Sequence, residues 1–332
     1  MIKNQDKQNV ILVTGGAGFI GSALIRFLIN ETNNIVVNID KLTYAGKLDN
    51  ISCVEGSERY FFHKDDICDF GSMLSIFNYY NPDLIMHLAA ESHVDNSIDG
   101  PSDFIQTNIL GTFNLLEVSR NYIAKNSLFK FHHVSTDEVF GDLAESKEYF
   151  SEDTRYAPSS PYSASKASSD HLVRAWARTY GLRTLITNCS NNYGSHQDNE
   201  KFIPKVIHSI LNNKPIPVYG DGLQIRDWLL VNDHVEALYL CAFSGENNST
   251  YNIGGNNTLT NLDVIQSIYN YIKSKNYPVS DLDALITYVK DRPGHDKRYA
   301  VDTSKIMNEL GWKPKFSFDD GIKQTINWYL NQ

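Results

Sequence analysis

The sequence is poor in cysteine and has no cluster of basic residues, and each shortage excludes a class of protein. The four cysteines among 332 residues are scattered. No pair has the spacing of a metal site, so we predict reduced thiols and no metal. Thirty basic residues stand against thirty-nine acidic ones, which gives a net charge of −9. This balance argues against a surface for nucleic acid or an anionic membrane, and any bound phosphate must be held by local groups.

Long apolar runs are also missing. No run approaches the roughly 20 residues that a membrane-spanning helix requires. The polar start, MIKNQDKQ, leads directly into an apolar run without the features of a signal peptide. We therefore expect a cytoplasmic protein with no membrane partner.

The first half of the chain alternates short apolar runs with helical stretches. Runs such as VILVT (10–14) and LIMHLAA (84–90) lack polar alternation, which is typical of parallel strands buried on both faces. The repeated β-α order predicts an α/β fold with a doubly wound parallel sheet of the Rossmann type. We predict an NAD-binding domain over 1–190, with some interleaving of later segments. A smaller C-terminal lobe, mainly for substrate, follows over 191–332.

A glycine-rich turn follows the first predicted strand. In VTGGAGFIG, Gly15, Gly18 and Gly21 precede and open a helix, as in dinucleotide-binding loops. The first glycine allows a tight turn, the second allows pyrophosphate to approach, and the third allows helix and strand to lie close. Asp40 ends the second strand, nineteen residues after Gly21. A carboxylate there accepts hydrogen bonds from the adenosine ribose, which favours NAD over its 2′-phosphorylated form.

The Tyr-x-x-x-Lys pattern places a phenol and an ammonium on one helix face, where the ammonium can lower the pKa of the phenol. The pattern occurs four times, beginning at Tyr60, Tyr162, Tyr269 and Tyr271. The first lies at a strand, and the last two lie on one late helix, where we expect the rings to contribute to the core. Tyr162 and Lys166 begin a helix after the fifth strand, at the sheet edge where such folds bind ligands. We predict that this pair is catalytic.

Two adjacent acids follow the fifth strand in STDEVFGD (135–142). Asp137 and Glu138 come directly after Thr136. They could form an acidic turn, or they could move protons if their environments keep one neutral and one charged. The nearby His132 and His133 point to opposite faces of a strand and cannot share a metal ion, so we expect core or hydrogen-bonding roles for them.

TGGAGFIG, STDEVFGD and YSASK together resemble the extended short-chain dehydrogenase/reductase family that acts on nucleotide sugars. Longer stretches, including NIDKLTYAG, HLAAESHVDNSI, NCSNNYG, IRDW and DRPGHDKRY, resemble its dTDP-glucose 4,6-dehydratases over nearly the whole chain. The resemblance implies a carbon–oxygen lyase that belongs to a biosynthetic pathway of the dTDP-rhamnose type. It also implies a homodimer formed through the helices near 101–125 and 162–180.

The resemblance further implies oxidation, elimination and reduction with one recycled NAD. Tyr162, supported by Lys166, would take the proton of the C4 hydroxyl, and Thr136 would hydrogen-bond that oxygen. Glu138 would remove the C5 proton, and neutral Asp137 would protonate the departing C6 hydroxyl. Sugar epimerases of the family interconvert C4 only and do not need this acid pair.

Binding residues are implied in the same way. The implied cofactor contacts are Gly15, Gly18, Phe19, Ile20, Gly21, Asp40, Lys41, Thr43, Asp66, Ile67, Leu88, Ala90, Thr107, Tyr162, Lys166 and Asn192. The implied substrate contacts are Ser92, Thr136, Asn191, Lys201, Arg226, Asn261, Arg292 and His295. Arginines at such positions match diphosphate with forked donors.

The chain departs from the family pattern in two places. Phe140 stands where tyrosine is usual, and Ser195 through Asn199 replace an aromatic and proline pattern. Two alternatives remain open. One is another nucleotide-sugar 4,6-dehydratase or a 4-epimerase of the same family, and the other is a non-catalytic NAD-sensing module.

Overall fold

A computed structural model describes residues 8–144 and 146–332. Within these residues, no helix combines the length and the hydropathy that a bilayer crossing requires. The chain divides into two compact units. The first comprises residues 8–139, 160–188 and 235–251, and the second comprises 140–159, 189–234 and 252–332.

Within residues 8–144 and 146–332, twelve strands form three sheets. Their bounds are β1 Val10–Thr14, β2 Ile35–Ile39, β3 Tyr60–His63, β4 Leu84–His87, β5 Lys130–Thr136, β6 Arg183–Cys189, β7 Asn191–Tyr193, β8 Ile216–Tyr219, β9 Ile225–Leu230, β10 Ser249–Ile253, β11 Thr258–Thr260 and β12 Ile286–Val289. The largest sheet has seven strands in the order β10-β6-β5-β4-β1-β2-β3.

The described part of the chain also contains twelve α-helices. Their bounds are α1 Phe19–Glu31, α2 Phe70–Tyr80, α3 Val94–Asp99, α4 Ser102–Phe104, α5 Thr112–Tyr122, α6 Pro161–Tyr180, α7 Phe202–Leu211, α8 Val231–Ser244, α9 Asn261–Ser274, α10 Leu282–Leu285, α11 Ser304–Leu310 and α12 Phe318–Leu330. Two 3-10 helices, Leu48–Val54 and Asp137–Phe140, and a π-helical segment, Ile105–Gly111, complete the regular structure.

The first unit is built around the central strands of the seven-stranded sheet. Consecutive residues of β1, Ile11, Leu12 and Val13, are each 0% exposed, so both faces of the strand are covered. Strand β1 runs parallel to β2 and β4, and β4 runs parallel to β5. The registers place Thr14 opposite His87, and His87 opposite His133. The strand ends that are expected to carry functional residues therefore meet at one edge.

The second unit has its own core and two small sheets. Strands β11, β9 and β7 form one sheet, and β12 pairs with β8 in the other. A separate cluster of buried apolar residues comes mainly from α7, α9, α12 and these strands. The three-stranded sheet was not expected from the sequence, because β7 and β11 are only three residues long each.

The predicted fold class is confirmed: the chain has a doubly wound parallel sheet of the Rossmann type with a second, smaller unit. One unit ends at 188 and the other resumes at 189. Residues 140–144 and 146–159 cluster with the second unit, and 235–251 cluster with the first. The domain bounds 1–190 and 191–332 stay a prediction. The helix predicted near 101–125 is interrupted by the π-helical segment, which no sequence periodicity indicated.

Candidate active site

The glycine-rich loop joins β1 to α1 at the carboxyl edge of the sheet. Gly15 has a φ of +72°, and a Cβ there would lie 2.7 Å from the backbone of Ala89, so only glycine fits. A Cβ on Gly21 would lie 2.1 Å from the carbonyl oxygen of Gly15. The close contact that Gly21 allows is therefore with the loop itself. A Cβ on Gly18 would lie 3.3 Å from the same carbonyl oxygen, a milder contact than at the other two glycines.

Helix α1 begins without a polar cap. Its first residues are Phe19 and Ile20, and Gly18 precedes them with no side-chain hydrogen bond to the first turn. The first turn also contains no acidic residue. The free N–H groups and the positive end of the helix dipole favour a bound anion, so this start fits the pyrophosphate of a dinucleotide.

Asp40 connects the second strand to the glycine-rich loop. Its Oδ2 accepts a hydrogen bond from the Ala17 N–H at 2.9 Å, and its Oδ1 accepts one from the Leu42 N–H at 2.8 Å. Burial raises the pKa of Asp40, although these bonds and Lys41 oppose the shift. The carboxylate is thus held beside the phosphate-binding loop, where an adenosine ribose would reach it. Thr43 lies in the loop that follows.

Lys41, predicted for the cofactor, contacts two further predicted cofactor residues in the first unit. The Nζ of Lys41 donates to Thr107 Oγ1 at 3.2 Å and lies 3.6 Å from Asp66 Oδ2. The Asp66 side chain also accepts from the Cys68 N–H at 2.9 Å, and the intervening Ile67 is buried. Segments distant in sequence therefore meet at this edge of the sheet.

Leu88 and Ala90 follow β4 at the same edge. The Leu88 N–H donates to the carbonyl oxygen of Thr14 at 3.1 Å. Ser92, predicted for the substrate, comes two residues later and is exposed. The chain after β4 therefore starts beside the end of β1 and continues into solvent-accessible positions.

Helix α6 places the predicted catalytic pair. Ser160 caps the helix and forms a reciprocal capping box with Ser163, so the helix start is fixed. Tyr162 and Lys166 follow one turn apart and are 8% and 3% exposed. The Nζ of Lys166 donates to the carbonyl oxygen of Val134 on β5 at 2.9 Å. The phenol and ammonium therefore lie on the face of α6 that is turned toward β5.

The other Tyr-x-x-x-Lys pairs have different settings. Tyr60 lies on β3, and its hydroxyl accepts a hydrogen bond from the side chain of Asn38. Tyr269 belongs to the core of the second unit, as predicted, and Lys273 Nζ donates to its hydroxyl at 3.1 Å. The late helix α9 thus brings a phenol and an ammonium together. Position on the sheet distinguishes the pair at Tyr162.

The two adjacent acids lie where β5 changes into a 3-10 helix. Thr136 Oγ1 lies 3.4 Å from Asp137 Oδ1, and the Glu138 N–H donates to the same hydroxyl at 3.3 Å. Asp137 is 2% exposed, whereas Glu138 is half-buried. Because burial disfavours the charged form of a carboxyl group, the two acids have the unequal environments that the elimination chemistry requires.

The histidines of the first unit have hydrogen-bonding roles in the core, as predicted. His132 Nε2 lies 3.1 Å from Thr187 Oγ1 on β6, and His133 Nε2 lies 3.2 Å from Asp170 Oδ1 on α6. The two rings therefore face opposite sides of β5. Burial lowers the pKa of His87 well below its usual range, with contributions from His133 and Lys166.

In the second unit, Arg226 lies in a cage of backbone oxygens. Its guanidinium donates to the carbonyl oxygens of Ile225, Lys297 and Asp296 at 2.8, 3.3 and 2.9 Å. It also stacks at 4.3 Å over the ring of Tyr299. These contacts fix the plane of the guanidinium but do not neutralise its charge, so the group is suited to an anionic ligand.

Further predicted substrate residues of this unit are linked by two residues that the sequence did not single out, Gln224 and Asp291. Gln224 bonds to Asn261 and to Asp291, each at 3.3 Å. Asp291 Oδ1 lies 2.6 Å from His295 Nδ1 and accepts from the Arg292 N–H at 2.8 Å. Burial lowers the pKa of His295, and nearby arginines add to the effect against the Asp291 bond.

The remaining predicted residues of the second unit lie on or after β7. Asn191 pairs with Trp228 across β7 and β9. Asn192 Oδ1 lies 2.8 Å from His234 Nδ1. Lys201 precedes α7. Asn192, expected at the cofactor, thus belongs to the second unit, and its cofactor contact stays a prediction.

Comparisons with known proteins identify the family of this chain. A family model described as GDP-mannose 4,6 dehydratase matches residues 12–325. A dTDP-glucose 4,6-dehydratase of Haemophilus influenzae is 56% identical over 329 residues, which cover 96% of this chain and 97% of the relative. The chain belongs to the dTDP-glucose 4,6-dehydratase family.

Solved structures point the same way. DesIV, a dTDP-glucose 4,6-dehydratase of Streptomyces venezuelae solved with NAD and TYD bound, has a TM-score of 0.91 and 39% identity, with 97% of each chain covered. A UDP-glucose 4-epimerase of Thermotoga maritima has a TM-score of 0.86 and 30% identity, covering 97% of this chain and 99% of its own. The predicted family is thus confirmed, and the dehydratase is the more similar in sequence.

The structure also accounts for the departures from the family pattern. Phe140 is 3% exposed, and its ring stacks on that of Phe150 at 5.2 Å, so a hydroxyl there would need a buried partner. In the segment Ser195 through Asn199, the His196 ring lies 4.5 Å from that of Trp328. Tyr329 donates to the carbonyl oxygen of Gln197 at 2.7 Å. Helix α12 therefore holds this segment in place.

Proposed function

We propose that this chain converts dTDP-glucose to dTDP-4-keto-6-deoxyglucose and water by oxidation at C4, elimination across C5 and C6, and reduction at C6. The observation that carries the proposal is the pair Asp137 and Glu138, unequally buried at the end of β5. The same strand is held by Lys166 of the tyrosine helix. A 4-epimerase has no elimination step and does not need two further acids.

NAD is the cofactor in this proposal. The uncapped start of α1 would hold its pyrophosphate, and Asp40 would bind the adenosine ribose. Lys41 and the two residues it contacts, Asp66 and Thr107, would lie near the rest of the dinucleotide. When bound, NAD supplies a hydride acceptor for C4 and a hydride donor for C6.

The residues of α6 and β5 have separate roles in the first step, the oxidation at C4. Tyr162 removes the proton of the C4 hydroxyl as the C4–H bond breaks. The buried ammonium of Lys166, one turn away, stabilises negative charge on the phenol oxygen. Thr136, whose hydroxyl already contacts Asp137 and Glu138, hydrogen-bonds the C4 oxygen.

Elimination then uses the two acids. The 4-ketone acidifies the C5 proton, which Glu138 removes in its charged form. The C6–O bond breaks as the C5–C6 double bond forms, and neutral Asp137 gives its proton to the leaving hydroxyl to form water. The deeper burial of Asp137 favours the neutral form that this role needs. During the reduction at C6, C5 and Asp137 each take up one proton. Tyr162 and Glu138 lose the two protons that they gained earlier, so all three side chains return to their starting states.

The polar cluster of the second unit would hold the substrate. Arg226 and Arg292 carry positive charge in an otherwise acidic chain, and the Arg292 guanidinium stacks at 4.5 Å over the ring of Tyr219. Forked donors of this kind match the diphosphate of a sugar nucleotide. Asn261, which bonds to Gln224, and His295, which bonds to Asp291, would complete the contacts. Ser92, Asn191 and Lys201 are proposed to contact the sugar and the nucleotide.

We further propose a cytoplasmic homodimer. Large apolar side chains on the α5 and α6 helices and the preceding π-helical segment are exposed, among them Leu110 at 46%, Phe113 at 41% and Tyr180 at 41%. Exposed apolar surface of this kind is typical of an interface between subunits.

A panel of sugar nucleotides tests the function. Incubation with dTDP-glucose should give a product that is lighter by one water and absorbs as a 4-keto sugar. UDP and GDP sugars should react more slowly. Formation of dTDP-galactose would favour the epimerase alternative, and the absence of product from every sugar nucleotide would favour the NAD-sensing module.

A further inference from the structure

Behind the acid pair, the first unit contains a chain of buried polar side chains that the proposed mechanism does not use. Asp170 on α6, His133 on β5 and Asn188 on β6 are each 0% exposed. His133 Nε2 lies 3.2 Å from Asp170 Oδ1. The Asn188 amide donates to Asp170 Oδ2 at 3.3 Å and to the carbonyl oxygen of Thr136 at 3.0 Å. The chain therefore joins α6 to the last residue of β5.

The spacing along α6 relates these buried polar side chains to the catalytic pair. Asp170 comes four residues after Lys166 and eight after Tyr162, so the three side chains follow one face of the helix. Lys166 already holds β5 through the carbonyl oxygen of Val134. Asp170 holds the same strand two residues later, at Thr136, through Asn188. Together the two contacts fix the end of β5 relative to the tyrosine helix.

His133 adds no positive charge to this group of side chains. Burial lowers the pKa of His133 to about 4, and Lys166 adds to the effect despite the bond to Asp170. His133 is therefore neutral near pH 7, and its ring lies beside the carboxyl group of Asp170 without adding a positive charge.

We propose that Asp170 is a positioning residue for the elimination step. Through Asn188 it fixes Thr136, and with it Asp137 and Glu138, against the helix that carries Tyr162. The inference rests on the proposed function, in which groups from α6 act at C4 while groups after β5 act at C5 and C6. Loss of the link leaves Tyr162 on its helix and displaces the acids. Elimination should therefore slow more than oxidation.

Two variants break the link at different points. Asp170→Ala removes the carboxylate that accepts from Asn188, and Asn188→Ala removes the bond to Thr136 while Asp170 and His133 stay in place. The matched control is Thr187→Val, since Thr187 is the neighbour of Asn188 on β6, is also 0% exposed and bonds to His132 on the opposite face. All three should lower the unfolding midpoint.

Catalysis separates the variants. In both link variants kcat should fall between about 10-fold and about 100-fold, the range expected for a small misplacement of reacting groups. KM for dTDP-glucose should stay within about 2-fold, because the diphosphate contacts are not touched. The fraction of enzyme holding NADH during turnover should rise, and solvent deuterium should enter C5 more slowly. Combined, the two variants should cost little more than either alone.

The control should turn over like the parent chain with an unchanged NADH fraction. If a link variant that folds keeps the parent kcat and NADH fraction, or if Thr187→Val changes them equally, the positioning role is wrong. If Asp170→Ala does not fold, Asn188→Ala decides alone by the same criteria. A parent chain that makes no 4-keto-6-deoxy product would overturn the proposed function instead, so the two failures are distinguishable.

Discussion

The folded chain should lose stability in mild acid because of His234, the residue of α8 that bonds to Asn192. The His234 side chain is 0% exposed, and its Nδ1 lies 2.8 Å from Asn192 Oδ1. Since the amide oxygen is an acceptor, Nδ1 carries the proton and Nε2 is unprotonated. Among the described residues Nε2 has no hydrogen-bond partner. Protonation would therefore create a buried charge at an atom that nothing stabilises.

The size of the effect follows from the pKa. Burial lowers the pKa of His234 to about 3, whereas in the unfolded chain a histidine has a pKa of about 6.5. Between these values the unfolded state binds more protons than the folded state, so stability falls as the pH falls. At pH 5 the difference covers about 1.5 pH units, and at about 1.4 kcal/mol per unit the loss is about 2 kcal/mol.

The assay compares the parent chain with His234→Asn by urea unfolding at pH 8 and at pH 5. The asparagine amide can still donate to Asn192 but does not titrate. Burial raises the pKa of Asp227 to about 6, so its protonation stabilises the folded state as the pH falls over the same range. This contribution is the same in both proteins and cancels in the comparison. The parent should lose about 2 kcal/mol more than the variant between the two pH values. Equal losses in the two proteins would refute the reasoning.

Three further predictions concern the site. Gly21→Ala should abolish NAD retention, because its Cβ would lie 2.1 Å from the Gly15 carbonyl oxygen. The control Gly56→Ala, whose Cβ would have nothing within 4 Å, should retain NAD. The cofactor content of the purified proteins measures both. Glu138→Gln should accumulate bound NADH when dTDP-glucose is added, and Tyr162→Phe should form none. Near-ultraviolet absorbance reports the NADH in each variant. Normal turnover by Glu138→Gln would exclude Glu138 as the base. Arg292→Gln should raise KM for dTDP-glucose about 10-fold or more, through loss of a charged hydrogen bond, with NAD retention unchanged; an unaltered KM would remove Arg292 from the diphosphate site.

Much of the first unit could be predicted because its signals are local. Apolar runs such as VILVT have the composition of a parallel strand. The turn after β1 is tight and requires glycine at position 15, which the spacing of the glycines in the sequence indicates. The π-helical segment at 105–111 could not be predicted, because its side chains have ordinary helical spacing. Strands β7 and β11 are too short for a periodic signal and form only because β9 lies between them.

The site shows the same division. Tyr162, Lys166 and the acid pair stand in recognisable patterns close to strand ends. Gln224 and Asp291 have no pattern, and their contact joins positions 67 residues apart. Asn188 and Asp170 likewise meet only through the fold. Contacts of this kind depend on which elements become neighbours, which no short stretch of sequence specifies.

Isotope tracing tests the central claim most directly. The chain is incubated with dTDP-glucose carrying deuterium at C4, and the position of the label in the product is read by NMR and mass spectrometry. The account predicts deuterium at C6 of a 4-keto-6-deoxy product, because the hydride removed from C4 returns to C6. Deuterium retained at C4, or a product that keeps its C6 hydroxyl, would contradict it.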